Sequence, residues 1–570
     1  MIRRIAVASL LLVFAPAPGT AQESPRQPLT FGGEAGTFSE LYGISGADRR
    51  RPTATGRLYL RPTMSLFGRV SIAGDFLLST EGNRFGAQAR QNINQYSLTP
   101  SWSWGRATVG DFSGSYTPLT YNGIRARGAS LEVERGRFAV SAFGGRSQRA
   151  TPGGAVSGSY SRTLTGARIG IGDPDRTALA LQFVSARDDP GSLGAPTDTI
   201  FPGQEPDTAF VQDTLSIGDQ NQFATTPQQN LVMSLMGSLA VLDERVKLRG
   251  ELAGSGYTRD VRSPPIENPE VLERVPGIAR NLFTPRRSSY ADYAYTLEAE
   301  VRPAGPLSTT LTFRNLGPGY VSLGTASMHS DRRELRARTS LRYRRTHASF
   351  DVGRQHDNLR GQKASTTRRD RIATSVTARI TPRWTSSIRL QRATLDSRPP
   401  EPERLMAYGS WMVGGRQVLS FGRGGILRTV SLDYNYRTTG DENPLRASSE
   451  SRSHTTNASL VLAPSRVFSI TPTAGLVRSR FGEAGWTTRS NLGIGSQLAL
   501  QRGRWVSGIN LGRANMQQTS ALQINATSRY QVTTRDAIIL GIRAADYENV
   551  LDADRSFREA TASLRWAHRF

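Results

Sequence analysis

A chain of 570 residues with a formal net charge of +25 and no cysteine cannot rest on a disulfide framework or a thiolate metal site. Only 37% of its residues are hydrophobic, and apolar runs beyond the first are broken by charge every few residues, which excludes helical membrane spans. Composition this polar resembles disorder, unless the fold is one whose strands need only a single dry face.

The N-terminus reads as a secretory leader over 1–21. Arg3 and Arg4 are its charged region, Ile5 to Phe14 its apolar core, and Gly19-Thr20-Ala21 its cleavage site. The core is too short for a spanning helix, and with no cysteine there is no lipid attachment through one. The reading leaves a short periplasmic segment over 22–28 and a β domain over 29–570. Nearly all the positive charge is arginine, because Lys247 and Lys363 are the only lysines. Nucleic acid is the standard partner of such a balance. Export and the spread of the arginines along the whole chain argue against it and favour lipopolysaccharide, phosphate or anionic solutes. A genome-wide shift toward arginine would produce the same balance.

From residue 29 onward, alternation recurs. Lys247, Arg249 and Glu251 interleave with Val246, Leu248, Gly250 and Leu252; Tyr293, Tyr295, Leu297, Ala299 and Val301 interleave with Ala294, Thr296, Glu298 and Glu300. Leu335, Ala337, Thr339, Leu341 and Tyr343 face one way, and Arg336, Arg338, Ser340, Arg342 and Arg344 the other. Period two with one dry and one wet face means strands of a half-solvated sheet. Short turns, near 63–66, 134–137, 241–244, 344–347 and 531–533 among others, take turns with long polar links. That rhythm predicts an all-β transmembrane antiparallel β-barrel of about 26 strands, within a range of 22–26, with the short turns periplasmic and the long links extracellular. Weak patterning at 107–134 and 404–430 sets the lower bound. An even count puts both termini on one side. A sandwich would need two dry inner faces, and no proline-rich linker divides the chain. A β-helix would need a fixed-length repeat.

Two links stand apart. The 188–228 link carries Asp188, Asp189, Asp198, Glu205, Asp207, Asp213 and Asp219 with no Arg or Lys, and is the candidate constriction loop, folding against wall arginines. Its carboxylates lack dedicated calcium-loop spacing. The 259–288 link is stiffened by Pro264, Pro265, Pro269, Pro276 and Pro285. The five histidines have no zinc spacing, and no nucleophile elbow or phosphate loop occurs. An enzyme, a metal site and a cofactor are therefore not expected.

Two glycine-rich stretches have a distinct texture: Gly105 to Phe112 followed by Leu119 to Ala129, and Phe313 to Gly324. They resemble segments of large β-barrels in Bacteroidota-like and Gemmatimonadota-like bacteria, including the protein-translocating channels of gliding and type 9 secretion. The physical reading is relief of crowding where a strand bends or an inner segment approaches the wall. At the C-terminus, Leu564, Trp566, His568 and Phe570 share a face opposite Arg565 and Arg569. The ending resembles the C-terminal signal of bacterial outer-membrane barrels, with His568 a departure from its usual tyrosine or apolar residue. That resemblance implies that Leu564, Trp566 and Phe570 serve barrel assembly and makes the assembly machinery a partner.

With only 22–28 ahead of the strands, a plug-gated receptor is not expected. The expected function is an outer-membrane channel for passive passage of solutes or a polymer. Lys247, Arg249, Arg336, Arg338, Arg342, Arg344, Arg389 and Arg565 would line it and give a modest anion preference. The alternative is a structural or assembly barrel of a surface or secretion complex with an occupied lumen, for which an accessory lipoprotein or lumen partner is the candidate.

Overall fold

The computed structural model describes residues 28–80, 94–151, 158–193, 225–268, 282–303, 305–422 and 424–570. The predicted leader over 1–21 and residues 22–27 lie outside them, as do Asp198, Glu205, Asp207, Asp213 and Asp219. Twenty-six strands form one sheet, each antiparallel to its neighbour in sequence, and the first pairs with the last. In chain order they are β1 (Leu29–Ser45), β2 (Ala54–Leu66), β3 (Val70–Ser79), β4 (Gln95–Trp102), β5 (Gly105–Thr117), β6 (Tyr121–Arg135), β7 (Phe138–Gln148), β8 (Ser161–Gly172) and β9 (Ala178–Asp189). They continue as β10 (Gln229–Val241), β11 (Val246–Thr258), β12 (Ser289–Val301), β13 (Leu307–Leu316), β14 (Arg332–Tyr343), β15 (Thr346–His356), β16 (Thr367–Arg379), β17 (Trp384–Ser397) and β18 (Met406–Ser420). The last are β19 (Leu427–Asp441), β20 (Ser451–Leu462), β21 (Phe468–Phe481), β22 (Thr487–Leu500), β23 (Trp505–Met516), β24 (Thr519–Gln531), β25 (Asp536–Asn549) and β26 (Phe557–Arg569). The weakly patterned stretches are β5, β6, β18 and β19, so the count reaches the top of its expected range.

Register keeps one face apolar around the ring, because a slip of one residue would turn every side chain over. Leu58 opposes Leu78, Leu252 opposes Tyr295, Ile388 opposes Gly415 beside Val413 and Leu390, and Leu540 opposes Leu564. These residues stand exposed on the outside: Leu252 is 57% exposed and Leu540 52%. Aromatic residues collect at both ends of that face. Phe138, Tyr343, Trp384, Trp505 and Tyr530 lie beside the short turns, and Tyr96, Tyr293 and Trp411 toward the loops. The ring closes where β1 meets β26. Gly33 and Phe570 exchange backbone hydrogen bonds of 3.0 and 3.1 Å, and Phe570 stacks on Phe31 at 5.2 Å.

A 26-stranded wall with strands spaced ~4.8 Å and tilted ~40° has a backbone diameter of roughly 50 Å. Side chains cannot fill such a lumen. Most of the buried apolar residues are instead gathered against one arc. Phe143, Leu164, Val184 and Ala186 on the inner faces of β7–β9 hold Phe112, Tyr121 and Ala126. Val232, Ala253, Ala294 and Leu316 on β10–β13 hold Leu119 and Tyr320.

Candidate functional site

The buried arc is an inner bridge built from two pieces that lie far apart in sequence. The β5–β6 hairpin ends in a tight turn at 118–120, and its tip meets the 317–331 link inside the barrel. Asn122 donates its backbone N–H to Gly324 O at 2.9 Å, and Asn122 and Gly123 form isolated bridges with Thr325. Tyr320 Oη donates to Leu119 O at 2.8 Å and Ser322 Oγ to Thr120 O at 2.6 Å. Two glycines permit the contact. Gly123 has φ +73°, and a Cβ on Gly324 would come within 2.5 Å of Thr120 O.

Polar wall residues anchor the bridge. Asn230 donates to Ser255 Oγ at 3.1 Å, Gly256 O at 3.0 Å and Val321 O at 2.9 Å, and accepts from Leu323 N–H at 2.9 Å. The buried Glu251 carboxylate accepts from Thr117 Oγ1 at 2.6 Å, Ser234 Oγ at 2.9 Å and Gln182 Nε2 at 3.2 Å. Asp292 accepts from Gly319 N–H at 2.8 Å and pairs with Arg360 at 2.9 Å. At the far end of the link, Asp331 pairs with Lys363 at 2.5 Å and accepts from the N–H groups of Asn358 and Leu359. Burial pushes the Asp331 carboxyl up, but the Lys363 ammonium and the two N–H groups outweigh it and hold it below the usual carboxylate range. Hydrogen bonds to these buried carboxylates and to the Asn230 amide offset the cost of burying them, while Gln182 Oε1 and Thr325 Oγ1 are buried with no hydrogen-bond partner among the described residues.

Alternation and strand pairing assign the predicted wall residues. Lys247 opposes Glu300, and Arg249 opposes Glu298 with an ion pair of 3.4 Å; both face inward beside Glu251. Arg336 and Arg338 both pair with Asp351, and Arg342 opposes His347. Arg389 opposes Gly414 and Ser375, and Arg565 reaches Glu34 at 3.7 Å and Tyr59 Oη at 3.3 Å. Arg344 departs from the expectation. Strand β14 ends at Tyr343, and Arg344 occupies the turn with φ +51°, its guanidinium 5.3 Å over the outward Tyr343 ring. Period two was extended one residue past the strand.

Of the acidic link, Asp188 and Asp189 are described. Asp188 is buried at the end of β9 in an ion pair with Arg162 at 2.7 Å and accepts from Gln228 N–H; Asp189 caps Gly191 N–H at 3.0 Å. Asp207, Asp213 and Asp219 lie outside the described residues. Leu564, Trp566 and Phe570 share the outer face, where Trp566, His568 and Phe570 stack in series at 6.0 and 6.2 Å. His568 Nδ1 lies 2.8 Å from Asp536, a partner that accounts for an imidazole at an otherwise apolar position.

Sequence reasoning did not single out Thr117, Asn230, Ser322 or Asp331. It did mark the glycine texture of both bridge pieces and read it as relief of crowding where a strand bends or an inner segment approaches the wall. Among the described residues no group of three His, Asp or Glu side chains could hold a metal ion.

The geometry defines a wide closed β-barrel whose lumen is bridged on one side and whose inner wall carries arginines. No family model matches the sequence, and no curated protein matches it. Among solved structures the chain is similar to the siderophore receptor PirA from Pseudomonas aeruginosa, with 9% identity, 97% of this chain and 81% of that one covered, and a TM-score of 0.42. It is also similar to the P pilus usher PapC translocation pore, with 11% identity, coverage of 95% and 99%, and a TM-score of 0.30. A bacterial polysaccharide outer membrane secretin matches with 12% identity, coverage of 49% and 91%, and a TM-score of 0.26.

Proposed function

We propose that the protein is an outer-membrane channel for passive passage of solutes, modestly selective for anions. The observation that carries this reading is the division of faces around a closed ring: apolar residues outside, charged and hydroxyl residues inside. Such a wall is stable only with hydrocarbon outside and water within. The open part of the lumen runs along β14–β26, where Arg342, Arg371 and Arg389 face inward with no ion pair to a described residue. Screening keeps their influence local. The Debye length is about 8 Å at physiological salt, well under the lumen radius of roughly 20 Å or more. Anion preference therefore arises near the wall and stays modest. Lipid and lipopolysaccharide are the proposed partners outside, where Arg354, Arg392 and Arg513 lie on the apolar face near the loop-side strand ends. The assembly machinery is the proposed partner of β26.

Planar-bilayer recording tests the reading. Stepwise conductance and a reversal potential of anion-selective sign are expected under a salt gradient; cation selectivity would overturn the arginine-lining idea. The inner bridge favours a second reading, a structural or assembly barrel with a filled lumen and an accessory lipoprotein or lumen partner beside it. Absence of conductance would favour it. Repeating the recording without 194–224 tests the acidic link as a separate constriction.

A further inference from the structure

On the wall that adjoins the bridge beyond β13, the inner residues of β14–β19 form a grid. One row reads Arg336, Gly353, Arg371, Ala393, Ser410, Thr439 across six adjacent strands. The next row toward the turns reads Arg338, Asp351, Ala373, Gln391, Met412, Arg437, and the next toward the loops has Gln355, Arg369, Leu395 and Tyr408. Small residues in the middle of the first row leave a recess of about 670 Å³ with arginines around it.

The charges at this recess do not cancel. Asp351 is committed to Arg336 and Arg338, Glu334 to Arg314 and Arg332, Asp441 to Arg446, and Asp433 to Arg416. Arg369, Arg371 and Arg437 are exposed to the lumen and have no ion pair or hydrogen bond with a described residue. Neighbouring strands are ~4.8 Å apart and alternate residues ~7 Å apart, so Arg369 and Arg371 start about 7 Å apart, and Arg437, three strands on, starts about 16 Å from Arg371 and about 20 Å from Arg369. Across that span the long arginine side chains can each hold a separate charge of one multiply charged molecule, whereas a small monovalent ion meets only part of the set. Planar guanidinium groups match carboxylate and phosphate oxygens two at a time.

We propose that this recess is a binding subsite for small, multiply charged carboxylates or phosphates, held by Arg369, Arg371 and Arg437 over the floor of Gly353, Ala393 and Ser410. It rests on the channel reading only in that the lumen must be open to solute. Outer-face lipids cannot reach it, because the wall separates them.

Binding is measured by titration calorimetry on detergent-purified full-length protein, with citrate as the probe and acetate as the monovalent control. Citrate is expected to bind more tightly than acetate. Arg371→Ala and Arg437→Ala are each expected to weaken citrate by roughly tenfold, the loss typical of a hydrogen bond to a charged group. Arg371→Gln serves where alanine impairs folding, which heat-modifiable migration reports. Arg543→Ala, on the inner face of β25 with no paired carboxylate among the described residues, is the control for diffuse charge and should leave citrate unchanged. Equal affinity for citrate and acetate, or equal losses at Arg371 and Arg543, overturns the subsite. Conductance is recorded separately: anion-selective current without citrate binding defeats the subsite and spares the channel, and citrate binding without current does the reverse.

Discussion

Asn230 is the residue on which the inner bridge depends most. It is 1% exposed, and its amide makes four hydrogen bonds, two of them to the 317–331 link. Asn230→Ala leaves Val321 O and Leu323 N–H without that partner. A local loss of about 2 kcal/mol is expected, with hydrogen exchange at Leu323 roughly thirtyfold faster. Unchanged exchange would mean that the apolar contacts of Tyr320 alone hold the link. Asp331 ties the other end of the same link, and its folded pKa is depressed. A depressed carboxyl contributes stability above its unfolded value and loses it as pH falls through the folded one. The tie is therefore expected to persist at neutral pH and release below about pH 4, the ordinary carboxylate value. Asp331→Asn should remove that pH step in exchange of the 317–331 amides. Its cost at neutral pH is about 1 kcal/mol, since Lys363 is half exposed. At the closing seam, Phe570→Ala loses the Phe31 stack and is expected to cost about 2 kcal/mol. Lower outer-membrane yield and a lower temperature of heat-modified migration are the readouts; an unchanged pair of values counts against an assembly role.

Among the elements, the strands were legible because a wall residue has only two environments. A period of two then sorts Leu248 from Arg249 without any knowledge of neighbours. Turn chemistry helped, as at 344–345, though the pattern ran on into Arg344, where a left-handed turn had already begun. The inner bridge was legible only as texture. Leu119 and Tyr320 are apolar, as an outward strand residue would be, and nothing local distinguishes lipid from a lumenal partner 201 residues away. The acidic link drew attention by composition, which reports charge contrast but not location. Replacing 317–331 with a two-residue turn should raise single-channel conductance, since Tyr320, Val321 and Ser322 leave the lumen. An identical conductance would place the current-limiting constriction elsewhere.

At the scale of the whole molecule, the lumen is lopsided. One arc, β7–β13, carries the bridge; the other includes the inward Arg342, Arg371 and Arg389. A bare ring of this circumference would select poorly, because most of its cross-section lies beyond the reach of wall charge. Crowding one side moves the passage toward the other, so a larger share of solute travels within a Debye length of Arg342, Arg371 and Arg389. Selectivity is therefore expected to fall when the bridge is removed, even as conductance rises, and to fall again as salt is increased. A reversal potential that stays constant across both changes would separate selectivity from the arginine wall.

The bridge also divides the barrel mechanically. Its hydrogen bonds act as cross-bracing, so the hoop is stiff from β5 to β13 and compliant elsewhere, including the closing joint between β1 and β26. Bending strain imposed by the surrounding bilayer will concentrate in the compliant portion. The passage should then become oval with membrane thickness and tension, lengthening along one axis as it narrows along the other, while the braced portion keeps its curvature.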